Sequence, residues 1–180
     1  MEKANKNTHL NHLEDMVFLG HIDGTRDAVH FIRKLRDLLL GHTQRDLQTS
    51  VKWDGAPAIY MGPHPVSKKF FVAKKSLFNK RPLYYTSVKE IKASTDLSAE
   101  LKKKFELAFD MFHDAKFEKI VQGDFLFDAT DLKTENIDGE KFIVFHPNTI
   151  AYSIPEESDL AKTISKKKLG IVFHTTYSGS

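Results

Sequence analysis

The period of the apolar positions changes along the chain. Leu10, Leu13, Val17 and Phe18 recur at helical spacing, and Gly20 ends the run. Asp23 or Thr25 then caps a second helix. Its stripe is Ala28, Val29, Ile32, Leu35, Leu38 and Leu39, with Gly41 as terminator. Arg26, Arg33, Lys34 and Arg36 lie mostly off that stripe and read as a solvated face. Residues 43–49 form a polar connector, after which the pattern turns to β. Residues 51–53, 58–61 and 70–73 read as short strands, and Gly62-Pro63-His64-Pro65 makes the turn between the second and third. Residues 87–93 predict a short helix. Asp96 or Ser98 opens a longer one to Asp114 that buries Leu101, Phe105, Ala108, Phe109 and Phe112 and keeps Lys102, Lys103 and Lys104 wet. Residues 120–127 return to strand, 128–139 read as a polar loop, and 142–145 with 150–154 as a hairpin. A last helix starts at Pro155-Glu156-Glu157, and residues 170–174 form the final strand.

Helices gather at the start and middle, and strands surround residue 52. This predicts an α+β fold with a largely antiparallel sheet and flanking helices. No internal repeat or linker divides residues 1–180, so a single domain is expected, with the polar stretch 1–8 disordered. Apolar content of 41% and charged content of 28% are those of a globular protein. There is no cysteine, which excludes disulfides and cysteine-based metal sites and fits a cytoplasmic setting. No apolar run is long enough to span a bilayer, so no membrane partner is expected. The net charge is only +3, but the lysines cluster. Residues 74–82 interleave basic side chains with Leu77 and Phe78, and Tyr84 and Tyr85 follow.

The chemistry centres on Ser50-Val51-Lys52-Trp53-Asp54-Gly55-Ala56-Pro57. A lysine set on a strand before a tight turn is in an unusual place for so solvated a side chain. Burial disfavours the ammonium and frees the amine for attack; the plain alternative is a hairpin lysine that snorkels to water. Trp53 points away from the Lys52 side of a strand and is expected in the core. Asp124, beside Gly123, suits a ribose hydroxyl or Mg²⁺, and equally a turn cap. His174 has the chemistry of a general base, although most such histidines are satisfied core or surface residues.

Lys52-Trp53-Asp54-Gly55 resembles the K-x-D-G motif of the covalent nucleotidyltransferases: ATP-dependent DNA and RNA ligases and capping enzymes. Gln122-Gly123-Asp124-Phe125 is similar to their Gly-Glu strand, with Asp for Glu, and Phe142-Ile143-Val144-Phe145 to their aromatic strand. The resemblance implies a ligase-adenylation (ATP-grasp-like) type of fold and a lysyl-AMP intermediate. It implies Lys52 and Asp54 as catalytic residues, and Val51, Gly55, Lys74, Lys75, Asp124 and Phe145 around the nucleotide. Its cofactors would be ATP or GTP with Mg²⁺ on Asp124, and RNA or DNA the acceptor. Two features depart from the pattern. Leu169 precedes Gly170 where the ligase motif has an acid, and the late strand with two lysines is absent: it either lies beyond Ser180 in a longer parent or never existed. The alternative is therefore a catalytically degenerate module that binds nucleic acid or protein. The chain also resembles proteins of tailed phages, through residues 51–59, 122–124 and 170–177. That implies a phage origin and the host cytoplasm as its location.

Overall fold

The computed structural model describes residues 12–42 and 51–177. The stretch 1–8 and the connector 43–49 lie outside the described residues. The chain divides into two compact units, Met1–Lys52 and Trp53–Ser180.

In the first unit, helix α1 runs over Leu13–Leu39 and is broken at His21 (φ 49°, ψ −130°). The two-helix reading of this stretch is therefore sound, with the interruption one residue after Gly20. Asp15 accepts from the backbone N–H of His12 at 3.0 Å, the return half of a capping box. Thr25 donates to the His21 carbonyl at 2.7 Å and restarts the helix. Of the expected apolar stripe only Ala28 is buried.

The second unit holds β1 (Ala58–Pro63), β2 (Phe70–Ala73), a 3-10 turn (Lys75–Phe78), α2 (Val88–Ala93), α3 (Ala99–Phe112), β3 (Ile120–Asp128), β4 (Lys133–Ile137), β5 (Glu140–Phe145), β6 (Tyr152–Pro155), α4 (Asp159–Ile164) and β7 (Leu169–Tyr177). Two sheets result, one ordered β2-β1-β3-β7 and one β4-β5-β6, with every neighbouring pair antiparallel. The α+β expectation holds. Each short helix starts on a serine whose hydroxyl accepts from the backbone N–H three residues on: Ser87 from Glu90, Ser98 from Leu101, Ser158 from Ala161.

Strand alternation sorts the side chains. One face of the four-stranded sheet buries Ile59, Met61, Val72 and Phe125 against Ile91, Phe105 and Ala108 of α2 and α3. The other face carries Ala58, Tyr60, Phe71, Ala73, Ile120 and Tyr177. A second core joins Phe127, Ile143, Phe145 and Ile154 to Ala161 and Ile164 of α4. Strand β3 serves both cores, with Phe125 in the first and Phe127 in the second. Its pairing with β7 shifts register between those two residues.

Two expectations fail locally. Residues 51–53 form no strand, and at the next residue both backbone groups are taken by a side chain instead of a ladder: the Asp54 N–H donates to the Tyr152 hydroxyl at 2.8 Å, and that hydroxyl donates to the Asp54 carbonyl at 3.1 Å. The polar loop 128–139 contains β4, an edge strand exposed at every position that leaves no apolar alternation to read.

Phe105 is fully buried, stacked on Phe125 at 6.1 Å and edge-on to Tyr85 at 6.4 Å. Phe105→Ala is expected to cost about 3–5 kcal/mol in urea denaturation, the range for emptying an aromatic site in a close-packed core. A loss below about 1 kcal/mol would show that α3 does not cover the sheet as described.

Candidate functional site

The segment from Trp53 to Pro57 lies against β3. The Phe125 N–H donates to the Pro57 carbonyl at 3.1 Å, extending the β1–β3 pairing one residue beyond Ala58↔Asp124. A Cβ on Gly55 would collide with the Phe125 carbonyl oxygen. The close approach that requires glycine here is thus made by the chain's own strand. Trp53 is held in the second core, stacked on Phe145 (6.3 Å, 11°) and tilted against Tyr152 at 4.8 Å. Its expected core position is correct.

On β3, Gln122 and Asp124 face the same side as Tyr60, away from Phe125. Asp124 is only 16% exposed, and its Oδ2 is 3.3 Å from Nε2 of His174. The β3–β7 register shifts here as well: Gly123 faces Phe173, while Gln122 faces Thr175. His174 lies at that bulge, a feature that re-aims side chains. Its Nδ1 is 2.8 Å from the hydroxyl of Thr175, which is buried. With that hydroxyl donating to Nδ1, Nε2 carries the proton toward Asp124. Along the same face, Tyr177 donates to the Gln122 side-chain carbonyl at 2.5 Å, and its ring lies 5.9 Å from Tyr60.

Burial pushes the Asp124 carboxyl above the usual carboxylate value; His174 opposes the rise, and the charge of Asp54 adds to it. Asp54, proposed from a separate motif, precedes Gly55, which lies against the carbonyl of Phe125, the residue after Asp124. The Tyr60 phenol is also raised, first by burial, then by Tyr177, with a contribution from Asp124. The face is a desolvated polar row in which negative charge is costly until a cation meets it.

The remaining candidates are dispersed. Lys52 and Val51 are exposed at the junction of the two units, off any strand. The expected burial of Lys52 is not found, since no ladder or core holds its segment before Trp53. Lys74 is bound to Asp96, 2.7 Å from its carboxylate and 2.9 Å from its carbonyl oxygen, in the connector between α2 and α3. Lys75 is exposed on the 3-10 turn. Phe145 is fully buried among Trp53, Phe127 and Tyr152 and offers no face for a base. Leu169, in the place of the ligase acid, is buried in the first core. Among the described residues, no three His, Asp or Glu side chains gather as a metal-holding group, and no helix is long and apolar enough to cross a membrane.

Sequence reasoning missed Tyr60, Gln122, Thr175 and Tyr177. The alternation that puts Gln122 on the side of Asp124 was available. The bulge that turns His174 toward it was not.

The family profile of DUF6267 spans residues 7–180. The chain belongs to this family, described as a family of unknown function. No curated protein and no solved structure matches it. Membership thus carries no activity, and the functional reading rests on the site.

Asp124 keeps its proton to higher pH in the native state than in the unfolded chain. It therefore favours folding below the unfolded pKa, and that contribution is lost as pH rises through the folded one. Relative to wild type, Asp124→Asn is expected to gain stability as pH rises from about 3 to 8, read by urea denaturation at each pH. A difference that stays flat or falls with rising pH would contradict this account of the carboxyl.

Proposed function

We propose that this chain is a nucleotidyltransferase-like domain that binds ATP or GTP with Mg²⁺ and carries the nucleotide on Lys52, as an RNA or DNA ligase-type enzyme does. The observation that supports the reading is the docking of Asp54-Gly55 on β3. It sets the acid of the K-x-D-G segment where its charge acts on Asp124, the acid of the Gly-Asp strand. Lys52 precedes Asp54 by two residues, so the chain itself tethers the amine to that segment.

The donor set fits an ion that arrives with its nucleotide. Mg²⁺ keeps several waters and is bound by one or two carboxylates plus substrate phosphates. Asp54 and Asp124 would be those carboxylates, and a bound Mg²⁺ would neutralise charge on the phosphates. In the first half-reaction the free amine of Lys52 attacks the α-phosphorus. A nitrogen–phosphorus bond forms, the bond to pyrophosphate breaks, pyrophosphate leaves, and the amine nitrogen gives up a proton to solvent. In the second, a 5′-phosphate oxygen of RNA or DNA attacks the same phosphorus, the nitrogen–phosphorus bond breaks, and the Lys52 nitrogen takes up a proton from solvent as it leaves. His174, donating to Asp124, holds that carboxylate's orientation.

A second reading is favoured by Leu169. It is buried where the resembling ligases carry an acid, which fits a degenerate member that binds nucleic acid or protein without turnover. Labelling separates the two. Protein incubated with α-labelled ATP or GTP and Mg²⁺ is expected to carry a nucleotide on Lys52, mapped by peptide mass spectrometry and discharged by added pyrophosphate. Lys52→Arg is expected to carry none, and Asp124→Asn to label roughly 10²-fold more slowly, the usual effect of removing one charge-stabilising group. Folded wild-type protein that takes no label from either nucleotide would overturn the enzymatic reading in favour of the binding module.

A further inference from the structure

The 3-10 turn and the segment after it build two hollows that share Pro82 and the ring of Tyr84. The first, about 250 Å³, is lined by His64, Phe71, Leu77, Phe78 and Ile120 besides those two and is nearly all apolar. It falls below the roughly 300–1,000 Å³ of sites for drug-sized ligands, so it suits one ring system. Its walls are mutually packed rings: Tyr84 lies 4.8 Å from His64 and 5.7 Å from Phe71. Both Tyr84 and Phe78 remain exposed enough to offer a face, at 37% and 55%. The second hollow, about 470 Å³, is about half polar, with Ser67, Lys69, Thr86 and Glu90 in its lining beside Leu83. The Glu90 carboxylate is engaged there by the Thr86 N–H at 2.6 Å and by the Thr86 hydroxyl. A carboxylate bonded only by neutral donors keeps its charge, so Lys69 and Glu90 place one charge of each sign in this hollow.

The surroundings are one-signed. Residues 55–89 contain seven Lys or Arg and no Asp or Glu. Lys74 is neutralised by Asp96, while Lys68, Lys69, Lys75, Lys80, Arg81 and Lys89 are exposed. An apolar ring site rimmed by exposed cations from a stretch with no acid between residues 55 and 89 is complementary to a base joined to phosphates.

We propose that the apolar hollow and its basic rim bind one unstacked nucleotide of a single-stranded nucleic acid. Its base enters the apolar hollow against Tyr84 and Phe78, and its own and neighbouring phosphates meet the exposed cations of the rim. Ring stacking of this kind tolerates any base. A peptide's aromatic side chain would fit the first hollow by shape, but it would leave the cations without a partner.

The hollow lies on the same sheet face as the acids. Phe78 packs edge-on to Tyr60 at 5.1 Å and against Tyr177 at 5.3 Å, and Tyr177 bonds Gln122. Ile120 precedes Asp124 by four residues on β3, about 13 Å of strand, so the two are separate subsites. The inference deepens the nucleotidyltransferase reading by giving the acceptor strand a seat. It is tested without ATP, so its failure and that of the lysine adduct are distinguishable.

The test is fluorescence anisotropy of the full chain with short single-stranded RNA and DNA and with an abasic strand of equal length. Base-bearing strands are expected to bind with an affinity that falls as salt rises, and the abasic strand roughly tenfold more weakly. Tyr84→Ala and, separately, Phe78→Ala are expected to lower binding of base-bearing strands to the abasic level with the melting curve unchanged, and Tyr84→Phe to retain it. The proposal is overturned if abasic and base-bearing strands bind equally. It is equally overturned if both alanine variants bind like wild type, or if a tryptophan-bearing peptide binds in a Tyr84-dependent way while no oligonucleotide does.

Discussion

The second unit depends on the contact between Gly55 and the backbone of β3. With no Cβ in the way, the segment from Trp53 to Pro57 lies directly on the strand. Its two ends are then fixed by different means. At one end Trp53 enters the second core beside Phe145, and at the other Pro57 accepts from Phe125 and leads into β1. The Tyr152 hydroxyl satisfies both backbone groups of Asp54, so this irregular stretch costs no orphaned hydrogen bond. A side chain at position 55 would force the segment off the strand, separating Asp54 from Asp124.

The site's electrostatics follow from that arrangement. Asp124 sits on a strand between two paired neighbours, so burial already disfavours its charge, and Asp54 disfavours it further. Only His174 acts in the other direction, and the β7 bulge is what lets it reach. Burial and the charge of Asp54 both disfavour the ionised Asp124, a cost that a cation would offset. Under the proposed function, a nucleotide with its metal ion would supply that cation. The basic surface sits elsewhere on the same face, around Tyr84 and Phe78 and apart from Asp124.

Much of the fold was legible in the sequence because it is local. Short apolar runs at 58–61, 70–73 and 120–127 mark strands that bury one or both faces. Ser87 and Ser98 cap the helices they introduce, and Gly20 falls one residue before the break in α1. The two acids were legible as members of short motifs. What was hidden is non-local. Nothing near Asp54 in sequence announces a hydroxyl 98 residues away that removes its segment from any ladder. Lys74 reads as a phosphate ligand until Asp96 is found beside it, and Phe145 reads as a base platform until Trp53 and Tyr152 are found on its faces. Strand β4 has no buried residue, so no apolar pattern marks it.

The central claim is that the face bearing Asp54 and Asp124 is a nucleotide site. The most direct measurement is a titration of isotope-labelled protein with a non-hydrolysable ATP analogue and Mg²⁺, followed by amide chemical shifts. Saturable shifts at Gly55, Gln122, Asp124 and His174, lost in Asp124→Asn, are the predicted result. Saturating nucleotide that leaves those amides unmoved, or moves only residues away from this face, would contradict the account.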